Sequence, residues 1–486
     1  MNKRVAKPFP VDVKVSDTID HFKVFDSFRE DLVKMYKDDS DTIQKTLDIL
    51  SEAAEHTEAQ RTRITPSGSW IRRLVSWTHI RFVYGIHWKK PFYPARLIRN
   101  YLIQYFYDKC RIDKYVFRGC EFALTYICNF TCTHCLCANI DESKIREEMD
   151  ADDYREIVRE ATALGATSFG AEGGEPFVNK DWTALMRSWH PKYNHVIVST
   201  NGWYCDEEMV KNLAHLGVDT INVSLDSGDA RLHDLFRRTK GSHQRAMDTI
   251  KWARKYGIQI ILNTTVSRFN LYTDGLIQVL EFGQKERLLV NILFGKGVGA
   301  FKDKDAMLRP RDFEAFEKIA APFDYWHIHH SGRLKANQSR VGCPGMNEML
   351  NFTPYGDAII CANNHVYLGN VLDEPLKKVR DRGLYESPFG KYQQCFLTQD
   401  EDFMKVYYPM LQNKEAAESY ISLGDFHKEL KKYEKENNKV VYPHMKPLSG
   451  DSKSYHVRDS GRRWESKRQK RERLELESSR EEDTRH

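Results

Sequence analysis

No run of apolar residues in this chain reaches the roughly 18 needed to span a bilayer. Met1 to Val11 also carries no apolar core of the signal-peptide kind. Both point to a cytoplasmic protein. A disulfide pattern is missing too: the ten cysteines are scattered unevenly over 486 residues, unlike the dense cysteines of small secreted scaffolds. Strong charge of either sign is absent, and a formal net charge of +5 on this length argues for no particular partner. One local absence is informative. Between Ala59 and Tyr107 there is no Asp or Glu, while Arg72, Arg73, Arg81, Lys89, Lys90, Arg96 and Arg99 alternate with Trp70, Trp77, Phe82, Tyr84, Trp88, Phe92, Tyr93, Tyr101, Tyr105 and Phe106. Such interleaving suits peripheral contact with the inner membrane surface through residues 70–107. It suits nucleic acid less well. The structural alternative is a helical layer packed on a catalytic domain.

What is present reads as a globular chain of two or three domains. Residues 12–60 are polar with loosely helical apolar spacing. From about Tyr115 strand and helix alternate. Strands are expected at Phe117–Thr125, Ala166–Ala171, His195–Ser199, Thr220–Leu225, Ile258–Val266 and Leu288–Phe294. Helices are expected at Tyr154–Leu164, Trp182–Trp189, Glu207–Leu216, His243–Tyr256 and Leu276–Gly283. This alternation predicts an α/β fold of parallel βαβ units, whose ligands gather at the carboxyl ends of the strands. The expected division is a helical, basic and aromatic extension over 1–114, the α/β unit over 115–325, a small cysteine-bearing domain over 336–400, and a charged helix with a solvated tail over 401–486.

The first strand leads into Cys128-Asn129-Phe130-Thr131-Cys132-Thr133-His134-Cys135, three cysteines spaced C-x3-C-x2-C. Thiolates are the ligands of iron–sulfur clusters and of zinc. Zinc sites pair C-x2-C with a second such pair, and none stands here at that spacing. A cubane held by three thiolates leaves one iron free to bind a substrate or cofactor. After the second strand comes Gly173-Gly174-Glu175-Pro176, after the third Thr200-Asn201-Gly202, and after the fourth Ser224-Leu225-Asp226 followed by His233-Asp234 and Arg237. Taken alone, each of these is equally a turn or a helix cap.

In order and spacing this set resembles the radical S-adenosylmethionine (SAM) enzyme superfamily over roughly residues 117–300. The resemblance implies a partial (β/α)6 barrel. It implies a [4Fe-4S] cluster on Cys128, Cys132 and Cys135, with SAM against Gly173, Gly174, Glu175, Pro176, Thr200, Asn201, Ser224, Asp226 and Arg237. The expected reaction is reductive cleavage of SAM to a 5'-deoxyadenosyl radical that takes a hydrogen atom from substrate. Further along, Cys343, then Gly356 to Cys361, then Leu368-Gly369-Asn370, then Cys395 resemble the start of the SPASM/Twitch domains appended to such enzymes. This implies an auxiliary [4Fe-4S] cluster on Cys343, Cys361 and Cys395, with the fourth ligand open.

The expectation is therefore an oxidoreductase-type radical SAM enzyme performing an oxidation, epimerisation or cross-link. Its substrate would be a small molecule such as a sugar, a lipid-linked compound or a peptide, and its electron donor a flavodoxin or ferredoxin. The alternative is a non-catalytic iron–sulfur or zinc protein docking nucleic acid or membrane.

Overall fold

The computed structural model describes residues 33–35, 39–55, 90, 92–110, 115–138, 140, 146–301, 306–323, 327–329, 345–391, 395–398, 400–412 and 420–448. Along β1 (Gly119–Thr125), Phe122 and Leu124 alternate with Glu121 and Ala123, the period of two that gives a strand two chemically different faces. Phe122 sits at the centre of a buried aromatic group, 5.0 Å from Tyr154, 5.4 Å from Trp189 and 5.2 Å from Phe352 between ring centroids. Five further strands repeat the scheme: β2 (Ser168–Gly173), β3 (His195–Thr200), β4 (Thr220–Ser224), β5 (Gln259–Val266) and β6 (Leu289–Phe294). All six are parallel and pair in sequence order.

Helices in the connections cover the apolar face. Beyond α1 (Ser40–Glu55) and α2 (Phe92–Lys109), these are α3 (Ala151–Ala163), α4 (Trp182–Ser188), α5 (Glu207–Leu216), α6 (Ala230–Arg237), α7 (Ser242–Lys255), α8 (Asp274–Glu286) and α9 (Pro310–Ala320). Their ends are written in the chain. Asp150 caps α3 by accepting from Asp152 N and Asp153 N, Asp206 caps α5, and Gly217 closes α5 at φ 96°. The result is the expected α/β partial barrel.

Helix α6 was not expected from the sequence. It is only eight residues long, and although Leu232, Leu235 and Phe236 fall at helical spacing, His233 and Asp234 are buried with them, so the segment reads first as a polar motif. The later part of the chain also differs from expectation. Strand β8 (Met349–Phe352) pairs parallel with β1, and β9 (Asp357–Ile359) returns antiparallel to it. With β7 (His327–His329) at the far edge and β11 (Gly369–Asn370) beyond β9, ten of the twelve described strands form one sheet. The cysteine-bearing hairpin thus extends the barrel's own sheet. A bidentate Arg146–Asp357 pair locks it there, at 2.6 and 3.1 Å. Strand β10 (Val366–Tyr367) pairs with β12 (Ile421–Ser422), and α10 (Leu376–Tyr385), α11 (Glu401–Gln412) and α12 (Leu423–Glu436) complete the described chain. The charged helix expected within 401–486 is α12; residues 413–419 lie outside the described residues. Helix α11 was unexpected because Pro409 lies within it.

At the amino ends of the strands Lys90 donates to Asn194 O at 2.6 Å and Gly217 O at 3.0 Å, and pairs with Asp219. Arg96 donates to Asn194 Oδ1 and Ala166 O, both at 2.6 Å. These two cations of the basic stretch therefore serve the packed layer; residues 70–89 and 91 lie outside the described residues.

Candidate active site

The carboxyl end of β1 runs straight into the cysteine loop, and the turn after β2 clasps it. Gly174 N donates to Thr125 O at 2.8 Å, and Glu175 N donates to Ile127 O at 3.0 Å. A Cβ on Gly174 would lie 2.2 Å from Ile127 O, and Gly173 holds φ at +119°. The two glycines are needed for this backbone-on-backbone contact. Cys137 reinforces it, its thiol 3.4 Å from Gly173 O.

Glu175 is fully buried. Its carboxylate accepts from Thr200 Oγ1 at 2.8 Å and Asn201 N at 2.9 Å, so the end of β3 is tied to the turn after β2. Burial pushes this carboxyl up to about 7 against those hydrogen bonds. Asn201 reaches on to the loop, donating from Nδ2 to Asn129 Oδ1 at 2.8 Å, 3.9 Å from Cys128 Sγ. Pro176 starts a short 3-10 turn behind the clasp.

A second brace comes from β4 and α6. Asp226 and Arg237 form a buried pair with Oδ2 to Nε at 2.7 Å, and His134 Nε2 lies 3.5 Å from the same carboxylate oxygen. Arg237 Nη1 stands 3.8 Å from Cys132 Sγ. Burial alone would raise the Asp226 carboxyl, but Arg237, His134 and His233 outweigh it and hold it down at about 2. Burial, helped by the Arg237 charge, lowers His134 to about 4, so its imidazole is neutral near pH 7. The carbonyl of Phe236 accepts from Thr133 N at 2.9 Å, which fixes α6 against the loop. Asp234 instead caps α7, accepting from Ser242 Oγ, His243 N and Gly241 N. Ser224 is half-buried on the opposite, inner face of the sheet.

That inner face is polar. By register and contact it carries Glu121, Glu172, Ser199, Asn222, Asn263, Asn291 and Asn351. Asn351 Nδ2 bridges the two carboxylates, at 2.9 Å from Glu121 and 2.6 Å from Glu172. Asn222 donates to Ser199, and Asn291 to Asn263. Burial and then the Glu121 charge push Glu172 up to about 8. Glu121 amid the apolar β1 is a sequence signal of this belt that the motifs did not include.

The second cysteine set is partly in view. Cys361 and Cys395 are half-buried, and Cys395 is near enough to act electrostatically on Cys361; Cys343 lies outside the described residues. Burial pushes the Cys361 thiol up to about 11, with Lys296 pulling the other way. Lys296, after β6, is buried and donates to Phe294 O at 2.9 Å. Tyr408 donates to Leu397 O in the Cys395 turn.

The Radical SAM superfamily model matches residues 122–272. An AdoMet-dependent heme synthase from Methanosarcina barkeri (strain Fusaro / DSM 804) is 32% identical over 281 residues, 53% of this chain and 80% of that protein. This chain belongs to the radical SAM superfamily. The Fe-coproporphyrin III synthase of the same organism is 29% identical over 148 residues, 30% of this chain and 37% of that protein. Among solved structures, Streptococcus suis SuiB bound to S-adenosylmethionine matches at 16% identity and a TM-score of 0.47, over 58% of this chain and 69% of that one. Native anSMEcpe with bound AdoMet matches at 16% identity and a TM-score of 0.43, over 66% and 97%.

Radical SAM proteins use a [4Fe-4S] cluster and S-adenosylmethionine. The donor set here fits such a cluster: three cysteines of one loop, braced from two sides.

Proposed function

We propose that this radical SAM enzyme holds its cluster on Cys128, Cys132 and Cys135 and receives S-adenosylmethionine against Gly173 to Pro176, Thr200, Asn201, Ser224, Asp226 and Arg237. The observation that carries the reading is the double brace on the cysteine loop. Backbone amides of the Gly-Gly-Glu turn grip one side of it, and the Asp226–Arg237 pair reaches Cys132 on the other. Held there and reduced, a cluster would supply the electron for cleaving S-adenosylmethionine, and the chemistry available would be hydrogen-atom abstraction at an unactivated substrate carbon.

The chain's own residues do the positioning. Glu175 and Asn201 lock the loop to the ends of β2 and β3, so the cofactor meets a rigid wall. Arg237 stays cationic because Asp226 outweighs the cost of burying it, which keeps a positive charge beside the thiolates. Cys361 and Cys395, with Cys343, are the candidate ligands of an auxiliary cluster, which could accept an electron back and make the net reaction an oxidation.

For the substrate, the inner face supports a compound rich in hydroxyl, amide or amine groups, such as a sugar, a lipid-linked glycan or a peptide. Glu121, Glu172 and the four asparagines offer hydrogen bonds, and no Lys or Arg stands among them. A porphyrin-type substrate is the second reading, favoured by the names of the Methanosarcina relatives. The same proposal includes a flavodoxin- or ferredoxin-type donor and peripheral contact with a membrane through residues 70–107.

The test is anaerobic reconstitution with iron and sulfide, reduction with dithionite in the presence of S-adenosylmethionine, and chromatography for 5'-deoxyadenosine. The Cys128→Ala/Cys132→Ala/Cys135→Ala variant is the control. Product that vanishes in the variant supports the reading; equal product in both defeats it.

A further inference from the structure

Helix α2 lies on the barrel by one face and leaves the other uncovered. Tyr93 and Asn100 are buried beneath it, Arg96 and Asn100 donate to backbone carbonyls of the barrel, and Gln104 accepts from Val116 N. On the opposite face Ile98, Leu102 and Phe106 follow one another at helical spacing, 59%, 57% and 57% exposed, with Phe92 63% exposed at the start of the helix. Four of the ten large apolar side chains that the described chain exposes are therefore on this one helix. Phe92 extends the patch to exposed Tyr193, with ring centroids 6.1 Å apart. Arg99, also exposed, flanks the stripe.

We infer that this face is a membrane-docking surface for anionic lipid. A contiguous apolar stripe on an otherwise polar surface marks an interaction site, and charge selects the occupant. The helix ends a stretch from Ala59 to Tyr107 that contains no carboxylate and repeated Lys and Arg. An acidic surface is its complement, and aliphatic and phenyl side chains beside arginine are the composition of helices that lie in the headgroup layer. Among the described residues no helix is long and apolar enough to cross a membrane. This inference deepens the peripheral contact named above and is independent of the radical chemistry.

The experiment is co-flotation of the full chain with vesicles of phosphatidylcholine alone and of phosphatidylcholine with phosphatidylglycerol. The protein should float with the anionic vesicles, weakly with the neutral ones, and less in high salt. Leu102→Glu/Phe106→Glu should lower the bound fraction about tenfold with an unchanged unfolding midpoint. Absence of flotation, or equal flotation of the double variant, overturns the inference. So does a two-chain mass by light scattering without lipid that the double variant abolishes, since it gives the stripe to a second copy. A preparation that floats yet forms no 5'-deoxyadenosine sustains this inference and counts only against the catalytic reading.

Discussion

The chain's two cysteine sites are built by different means. In the first, three cysteines lie within eight residues, and the tertiary structure supplies braces: the Gly-Gly-Glu turn, Asn201, and the Asp226–Arg237 pair. In the second, Cys361 follows a hairpin and Cys395 comes after α10, so tertiary packing has to bring these candidate ligands together. The hairpin is mounted on β1, the strand that also launches the first loop. One strand therefore positions both the first cysteine loop and Cys361, which ties their separation to the rigidity of the sheet rather than to a linker.

The contrast can be broken most severely at the thiols. Replacing Cys128, Cys132 and Cys135 with Ala should abolish 5'-deoxyadenosine and remove about four irons per chain, whereas Cys361→Ala/Cys395→Ala should remove a similar amount while the first site still cleaves S-adenosylmethionine. Iron analysis beside the product assay separates the two; loss of all iron in either variant would show the sites to be one unit.

Next is the brace. Arg237→Met leaves Asp226 buried without its strongest partner, a loss of roughly 3–5 kcal/mol, and chemical denaturation of the apo protein should record it. A stability equal to the parent would mean that the pair does not hold the loop.

A smaller effect belongs to the inner face. The Glu172 carboxyl is raised to about 8, so the fold favours its protonated form. Its contribution to stability is complete below the ordinary carboxylate range and is lost as pH rises through about 8. Glu172→Gln, whose amide oxygen can still accept from Asn351, should remove that loss. The variant should match the parent near pH 4 and exceed it near pH 9, read from urea midpoints across pH. Parallel curves would show that Glu172 does not titrate in this range.

The smallest effect is expected at Asn129→Ala, which deletes the single contact from Asn201. A loss of about 1 kcal/mol would show that the backbone clasp does most of the holding.

Much of this was legible in the chain. The period of two in β1 and β3, the Asp caps of α3 and α5, and Gly217 at the end of α5 are local signals, and local sterics and hydrogen bonds decide such elements. The motif residues were visible for the same reason, since loops after strands place them where ligands collect. Their partners were not. Glu175 accepts from Thr200 and Asn201, and Arg237 is paired with Asp226, because strands far apart in sequence end side by side.

By itself, then, the sequence determined the alternation of strand and helix, the iron-type spacing of the first cysteines and the membership of a radical SAM family, all encoded in residues near one another. The tertiary structure alone decided that a hairpin more than two hundred residues later pairs with β1, that Glu121 and Glu172 share one amide of Asn351, and which face of α2 stays uncovered. Register and packing between distant segments set these contacts, and no local pattern carries that information.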